Sequence, residues 1–190
     1  PWIENFDGYT LASTYTPSSR TLPICWNYIN ECTYNDYKYY PTIYYYSYTD
    51  YSHSTPNSLR LYSYYSSWTD YDPHPQYAIL PEMENLSTKR IELWAKGYNT
   101  SSTFKIGLMT DPSDASTFVQ VGEEHELTTS YQKFTIDLTG TGNYIAIMID
   151  AANSSRTYNG MYIDDITVME QPSCMEPTGL SVSNVHAREA

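Results

Sequence analysis

An all-β fold, two antiparallel sheets packed as a jelly-roll β-sandwich, is what this sequence predicts, and three observations predict it. Apolar and polar residues alternate with a period of two along most of the chain. No segment offers twelve residues of 3.6 periodicity, and clusters of Gly, Pro, Asn and Asp interrupt the alternation at short intervals. Alternation marks a strand with one face on a core, because successive side chains leave a pleated backbone on opposite sides. With 190 residues, 41% of them hydrophobic, the chain suffices for one large sandwich with a real core.

The segments bear this out in order. Glu4-Asn5-Phe6-Asp7-Gly8 opens the domain with an acidic, aromatic strand region, and Leu22-Pro23-Ile24-Cys25-Trp26 follows. Residues 34–77 hold 14 of the 22 tyrosines, a residue that favours strands because its ring packs while its hydroxyl reaches water. Ile43 to Tyr48 and Asn57 to Tyr65 read as strands there, with Asp70-Tyr71-Asp72-Pro73-His74-Pro75 as a rigid loop before Tyr77 to Leu80. From Arg90 to Lys96, Ile91, Leu93 and Ala95 share one face. Phe104 to Met109 and Phe118 to Gly122 add two strands, and Lys133 to Leu138 repeats the alternation. Tyr144 to Asp150 carries a richer second face, which predicts burial on both sides. The last strand, Tyr162-Ile163-Asp164-Asp165-Ile166-Thr167-Val168, holds paired aspartates. Composition changes after Glu170: residues 171–176 read as a linker, and 177–190 as the start of a further strand.

Charge narrows the function. Ten Lys and Arg stand against 22 Asp and Glu, a formal net charge of -12, which argues against nucleic acid and suits hard cations. No apolar run approaches the roughly 20 residues a membrane-spanning helix needs. The chain starts at Pro1 without a signal peptide and reads as a piece of a longer exported protein. Its three cysteines leave the pairing open: Cys25 with Cys32, Cys25 with Cys174, or unpaired thiols.

Taken in sequence, Glu4-Asn5-Phe6-Asp7, Leu22-Pro23-Ile24-Cys25-Trp26, Asn57-Ser58-Leu59-Arg60-Leu61, Ile91 to Lys96 and Tyr162 to Ile166 carry a resemblance. Over residues 2–170 the chain resembles the MAM-like, cleaved-adhesin (choice-of-anchor J) jelly-roll domains of bacterial surface proteins, of concanavalin- and galactose-binding-like architecture. Residues 177–190 resemble the first strand of a fibronectin type III repeat. The resemblance implies domains at 1–170 and from 177, an extracellular location, a calcium-stabilised sandwich, and adhesion to host protein or glycan. Eukaryotic MAM domains carry a fuller cysteine set than this chain, so their disulfides do not carry over.

Two sets of residues are candidates for chemistry. Asp164 shares its parity with Ile166 and Val168, which predicts a carboxylate on the inner face needing a cation or donors. A structural calcium ion ligated by Asp164 with Glu4 and Asp7 answers that need if the terminal strands pair as in the resembling family; Asp165 either joins it or meets solvent. Two aspartates capping a strand end by hydrogen bonds is the alternative. Tyr44, Tyr46, Tyr64 and Trp68 could stack on sugars or anchor a protein, or simply coat an exposed sheet face. Catalytic motifs are not found: there is no Gly-x-Ser-x-Gly, no His-Glu-x-x-His, and Glu123-Glu124-His125-Glu126 reads as a solvated run at a turn. The expectation is a non-catalytic adhesion or recognition module among other domains of one chain. A carbohydrate-binding module attached to a polysaccharide-degrading enzyme and a structural spacer are the alternatives.

Overall fold

The computed structural model describes residues 1–10, 22–30, 32–34, 37–44, 51–67 and 71–173. Its strands are, in order, β1 (Trp2–Glu4), β2 (Asn27–Ile29), β3 (Cys32–Tyr34), β4 (Tyr37–Tyr39), β5 (Thr42–Tyr44), β6 (Ser58–Tyr64) and β7 (Tyr71–Asp72). There follow β8 (Gln76–Ile79), β9 (Lys89–Gly97), β10 (Thr103–Met109), β11 (Val119–Glu126), β12 (Gln132–Asp137), β13 (Tyr144–Ile149) and β14 (Tyr158–Glu170). Two antiparallel sheets form the sandwich, one ordered β12-β9-β14-β6-β5 with β1 added beside β14, the other β11-β10-β13-β8-β2. Strands β4, β3 and β7 make a small third sheet, so Tyr71 and Asp72, expected in a loop, pair with β3 instead. The terminal strands are adjacent, as the resemblance implies: Trp2 faces Val168 and Glu4 faces Ile166.

The core is the meeting of the two inner faces. Leu59, Leu61, Ile91, Leu93, Met161 and Ile163 of one sheet bury against Phe104, Ile106, Leu108, Ile145 and Ile147 of the other. Phe6 and Trp26 close one end, their rings 5.9 Å apart, and Trp2 packs on Trp26 at 6.2 Å. The expected second apolar face of β13 is buried too. Ala146 and Met148 join Tyr77, Ile79 and Met109 in a separate cluster, covered by Phe118 from the β10–β11 connection. Gly107 makes that cover possible, since a Cβ there would stand 2.3 Å from the Phe118 ring.

Two further expectations are corrected. Glu123 to Glu126 lies within β11 rather than at a turn; the glutamates are exposed, while His125 is half-buried beside Phe104 and Phe134. Asp164 does not share the inner face with Ile166 and Val168. Asp164 pairs with Trp94, but the next pair in register is Thr167 with Glu92, so Asp165 and Ile166 together oppose Leu93. This β-bulge, with Asp165 in the left-handed region at φ 46°, inverts the phase of the strand. Ile163 points inward before the bulge and Ile166 after it, leaving Asp164 on the outer side with Trp94.

Candidate functional site

Tyrosines gather on the outer face of the six-stranded sheet because β14, β6 and the β9–β10 turn present them side by side. Tyr158 is paired with Tyr64 in register, and their rings stack at 4.5 Å. Gly160, opposite Tyr62, leaves room for the next rings: a Cβ there would lie 2.9 Å from the Tyr62 ring and 3.4 Å from the Cβ of Tyr98. Tyr98 accordingly meets Tyr62 edge-on at 5.2 Å and Tyr158 at 5.6 Å, and Tyr62 touches Tyr39 at 5.8 Å. Tyr98 remains 45% exposed, so it forms a held platform rather than a core ring. Burial, with Tyr98 and Tyr158 nearby, pushes the Tyr62 hydroxyl far up, and a hydrogen bond with Tyr64 raises that of Tyr158. Both stay protonated in any ordinary medium.

A second group adjoins the first. Tyr44, Tyr51 and Tyr162 contact one another at 4.6 to 5.6 Å. The Arg60 guanidinium lies 4.4 Å over Tyr44, and the Lys96 ammonium sits 5.0 to 5.8 Å from Tyr131, Tyr51 and Tyr162. Of the four aromatic candidates, Tyr44 and Tyr64 thus lie on one face, half-buried. Tyr46 and Trp68 lie outside the described residues. Tyr98, Tyr62 and Tyr158 were not among the candidates; Gly160, which leaves room for Tyr62 and Tyr98, was the available signal.

The paired aspartates work at the far end of the same face. Asp164 is fully buried and accepts the backbone N–H of His53 at 2.7 Å, of Ser54 at 2.9 Å and of Asp165 at 2.8 Å. Burial nevertheless pushes its carboxyl up to about 7, against the pull of those donors. Asp165 binds His53 Nδ1 at 2.6 Å and the Ser54 hydroxyl at 3.1 Å. His53 also stacks flat on Trp94, ring centroids 4.0 Å apart, with the edge of Tyr131 at 5.6 Å. The pair therefore anchors the segment before β6 onto β14, with the exposed His53 as its central contact.

Glu4 and Asp7 occupy a separate turn. Glu4 accepts the Phe6 N–H at 2.8 Å and the Tyr9 hydroxyl at 3.0 Å, while Asn57 donates to the Phe6 and Tyr9 carbonyls. Asp7 Oδ2 accepts from Asn5, and its Oδ1 is buried with no hydrogen-bond partner among the described residues. Among the described residues no group of three or more His, Cys, Asp or Glu side chains is placed to hold a metal ion. The oxygen-only chemistry of Glu4 and Asp7 fits a hard cation, and Asp7 Oδ1 is an acceptor such an ion would satisfy. Asp164 already accepts three N–H donors, with the Ser54 hydroxyl at 3.5 Å. Cys25 is an exposed free thiol, the side chain of Cys32 is not described, and Cys174 lies outside the described residues.

No family model and no curated protein sequence matches this chain. Solved structures do. The K1 cleaved adhesin domain of Lys-gingipain from Porphyromonas gingivalis superposes with a TM-score of 0.64 at 12% identity, over 90% of this chain and 98% of that one. The K2 cleaved adhesin domain of Lys-gingipain gives 0.62 at 15%, again over 90% and 98%. The first family 22 xylan-binding domain of a Paenibacillus barcinonensis protein gives 0.51 at 11%, over 89% and 92%. The likeness is one of fold. It places this jelly-roll sandwich among folds used by adhesin and carbohydrate-binding domains.

Proposed function

We propose that this chain is a non-catalytic recognition module of a multidomain extracellular protein, and that the tyrosine-coated face of its six-stranded sheet meets the ligand. The face itself carries the reading. Contiguous rings, fixed by one another and by two cations, supply large contact area at little entropic cost, which is what binding hot spots use. The sandwich shared with adhesin and carbohydrate-binding domains supports it by analogy of fold. The same rings favour a second reading, a carbohydrate-binding module attached to a polysaccharide-degrading enzyme.

A glycan array and a panel of host matrix and serum proteins, probed with the wild-type chain and with the Tyr64→Ala/Tyr98→Ala variant, test the proposal. Binding that the double substitution removes is expected. Two empty screens would leave the structural spacer as the account, and turnover of any substrate would refute a non-catalytic module.

A structural calcium ion at the Glu4–Asp7 turn, beside the strand that holds Asp164 and Asp165, belongs to the same proposal. The buried, unpartnered Asp7 Oδ1 supports it, and Glu4 stands opposite Ile166 in register, one residue from Asp165. Asp164 serves in this reading by holding the adjoining loop. At a hundredfold excess over the dissociation constant, an ion bound only to the folded state adds about 2.7 kcal/mol, or about 5–10 °C for a domain of this size. Melting in calcium and in EDTA measures this, and Asp7→Asn is expected to shrink the gap. A metal-free sample whose midpoint calcium does not move would remove the ion.

A further inference from the structure

We infer that the ligand of this face is an uncharged saccharide, seated on the Tyr98 ring with Tyr64 and Tyr158 beside it. The inference rests on the reading of the tyrosine face as the contact surface and names its ligand class.

Its first ground is the state of Tyr98. The ring is 45% exposed, yet its backbone N–H donates to the Gly160 carbonyl at 2.8 Å, and the rings of Tyr62 and Tyr158 contact it at 5.2 and 5.6 Å. A platform fixed before binding loses little freedom on binding. Sugars present patches of C–H surrounded by hydroxyls, which match a phenol ring edged by its own hydroxyl.

Charge is the second ground. Strands β5 and β6, and β14 as far as Ile163, contain Arg60 as their one charged residue. Its guanidinium lies 4.4 Å over Tyr44 and 5.6 Å from the Tyr62 ring, and Lys96 sits among three other rings, so both cations are spread over the faces of tyrosines. The chain as a whole carries a formal charge of -12, which repels anionic polymers. The Tyr62 and Tyr158 hydroxyls stay neutral, so the rings around Tyr98 add no negative charge of their own.

Extent is the third. A standard protein interface needs about 800 Å² on each partner. The four rings around Tyr98, three of them half-buried, are a small part of such an area and suit a few sugar units.

The test is affinity electrophoresis of the wild-type chain, Tyr98→Ala and Tyr98→Trp through gels containing xylan, galactomannan or mixed-linkage β-glucan, with polygalacturonate as the acidic counterpart. Retardation by at least one neutral polymer is expected, insensitive to salt, weakened about tenfold by Tyr98→Ala and kept by Tyr98→Trp. Thermal melting of each variant confirms that it is folded. Absence of retardation in every neutral gel overturns the inference, as does retardation indifferent to Tyr98→Ala, or retardation by polygalacturonate alone that fades with salt. Host-protein binding lost in Tyr98→Ala without any glycan retardation sinks the saccharide and leaves the contact surface standing; binding of neither sinks both.

Discussion

On the outer face of the five-stranded sheet, Tyr77, Ile79, Met109, Ala146 and Met148 are buried beneath Phe118, whereas the outer face of the six-stranded sheet carries tyrosines that are mostly half-buried. The inner faces of the two sheets are alike, apolar and closed on each other. Side-chain chemistry accounts for the difference outside. Methionine and isoleucine gain nothing from water, so the β10–β11 connection folds back to cover them. Tyrosine keeps a hydroxyl for solvent and a ring for its neighbours, so a tyrosine face can stay open without collapse. A closed face serves stability. An open one is available to a ligand.

The largest effect expected from breaking this contrast is at Asp164, the buried charge at the far end of the open face. Its carboxyl sits at about 7 in the folded chain and ordinarily at 3.8. Below about pH 4 both folded and unfolded states hold the proton, and above about pH 7 neither does. Between those limits the folded state binds more protons, so stability falls as pH rises, by about 2–4 kcal/mol over the window. Urea unfolding in EDTA from pH 4 to 8 measures that slope. In Asp164→Asn that fall should be lost, whatever the baseline; a variant whose stability still falls by as much shows that the charge lies elsewhere.

Next is the cover of the closed face. Gly107→Val would drive a side chain into the Phe118 ring and to within 2.7 Å of the Val119 carbonyl, lifting the cover. A loss of about 2–3 kcal/mol by urea unfolding is expected, with near-ultraviolet circular dichroism reporting the displaced rings. An unchanged midpoint would mean that the closed face does not depend on Phe118.

A smaller change sharpens the open face. In Gly160→Ala the new methyl meets the Tyr62 ring at 2.9 Å and the Leu61 carbonyl at 3.2 Å. The rings shift to admit it, at a cost of about 1 kcal/mol, and tyrosine fluorescence should change with it. Tyr98→Ala is the mildest: an exposed ring is removed, and stability should hold to within about 0.5 kcal/mol while binding falls.

Strands such as β9 and β12 were legible because each reports its own burial: Ile91, Leu93 and Ala95, or Phe134 and Ile136, alternate with charges within a few residues. Apolar residues at every position of β13 likewise announced a strand covered on both faces. Parity failed at Asp164, because one additional residue at Asp165 reverses inside and outside, and nothing local in Tyr-Ile-Asp-Asp-Ile marks that insertion. His53 was passed over for a related reason. Its stacking on Trp94 and its bond to Asp165 join residues 41 and 112 positions apart.

By itself the sequence determined an all-β chain, its principal strands and an acidic charge balance. Period and charge are properties of neighbouring residues, and they survive without knowledge of the fold. Only the tertiary structure decided which tyrosines share a face, which face is covered, and that Asp164 holds a loop. Those outcomes depend on strand register, on a bulge and on the space left by Gly107 and Gly160, each set by segments far apart in the chain.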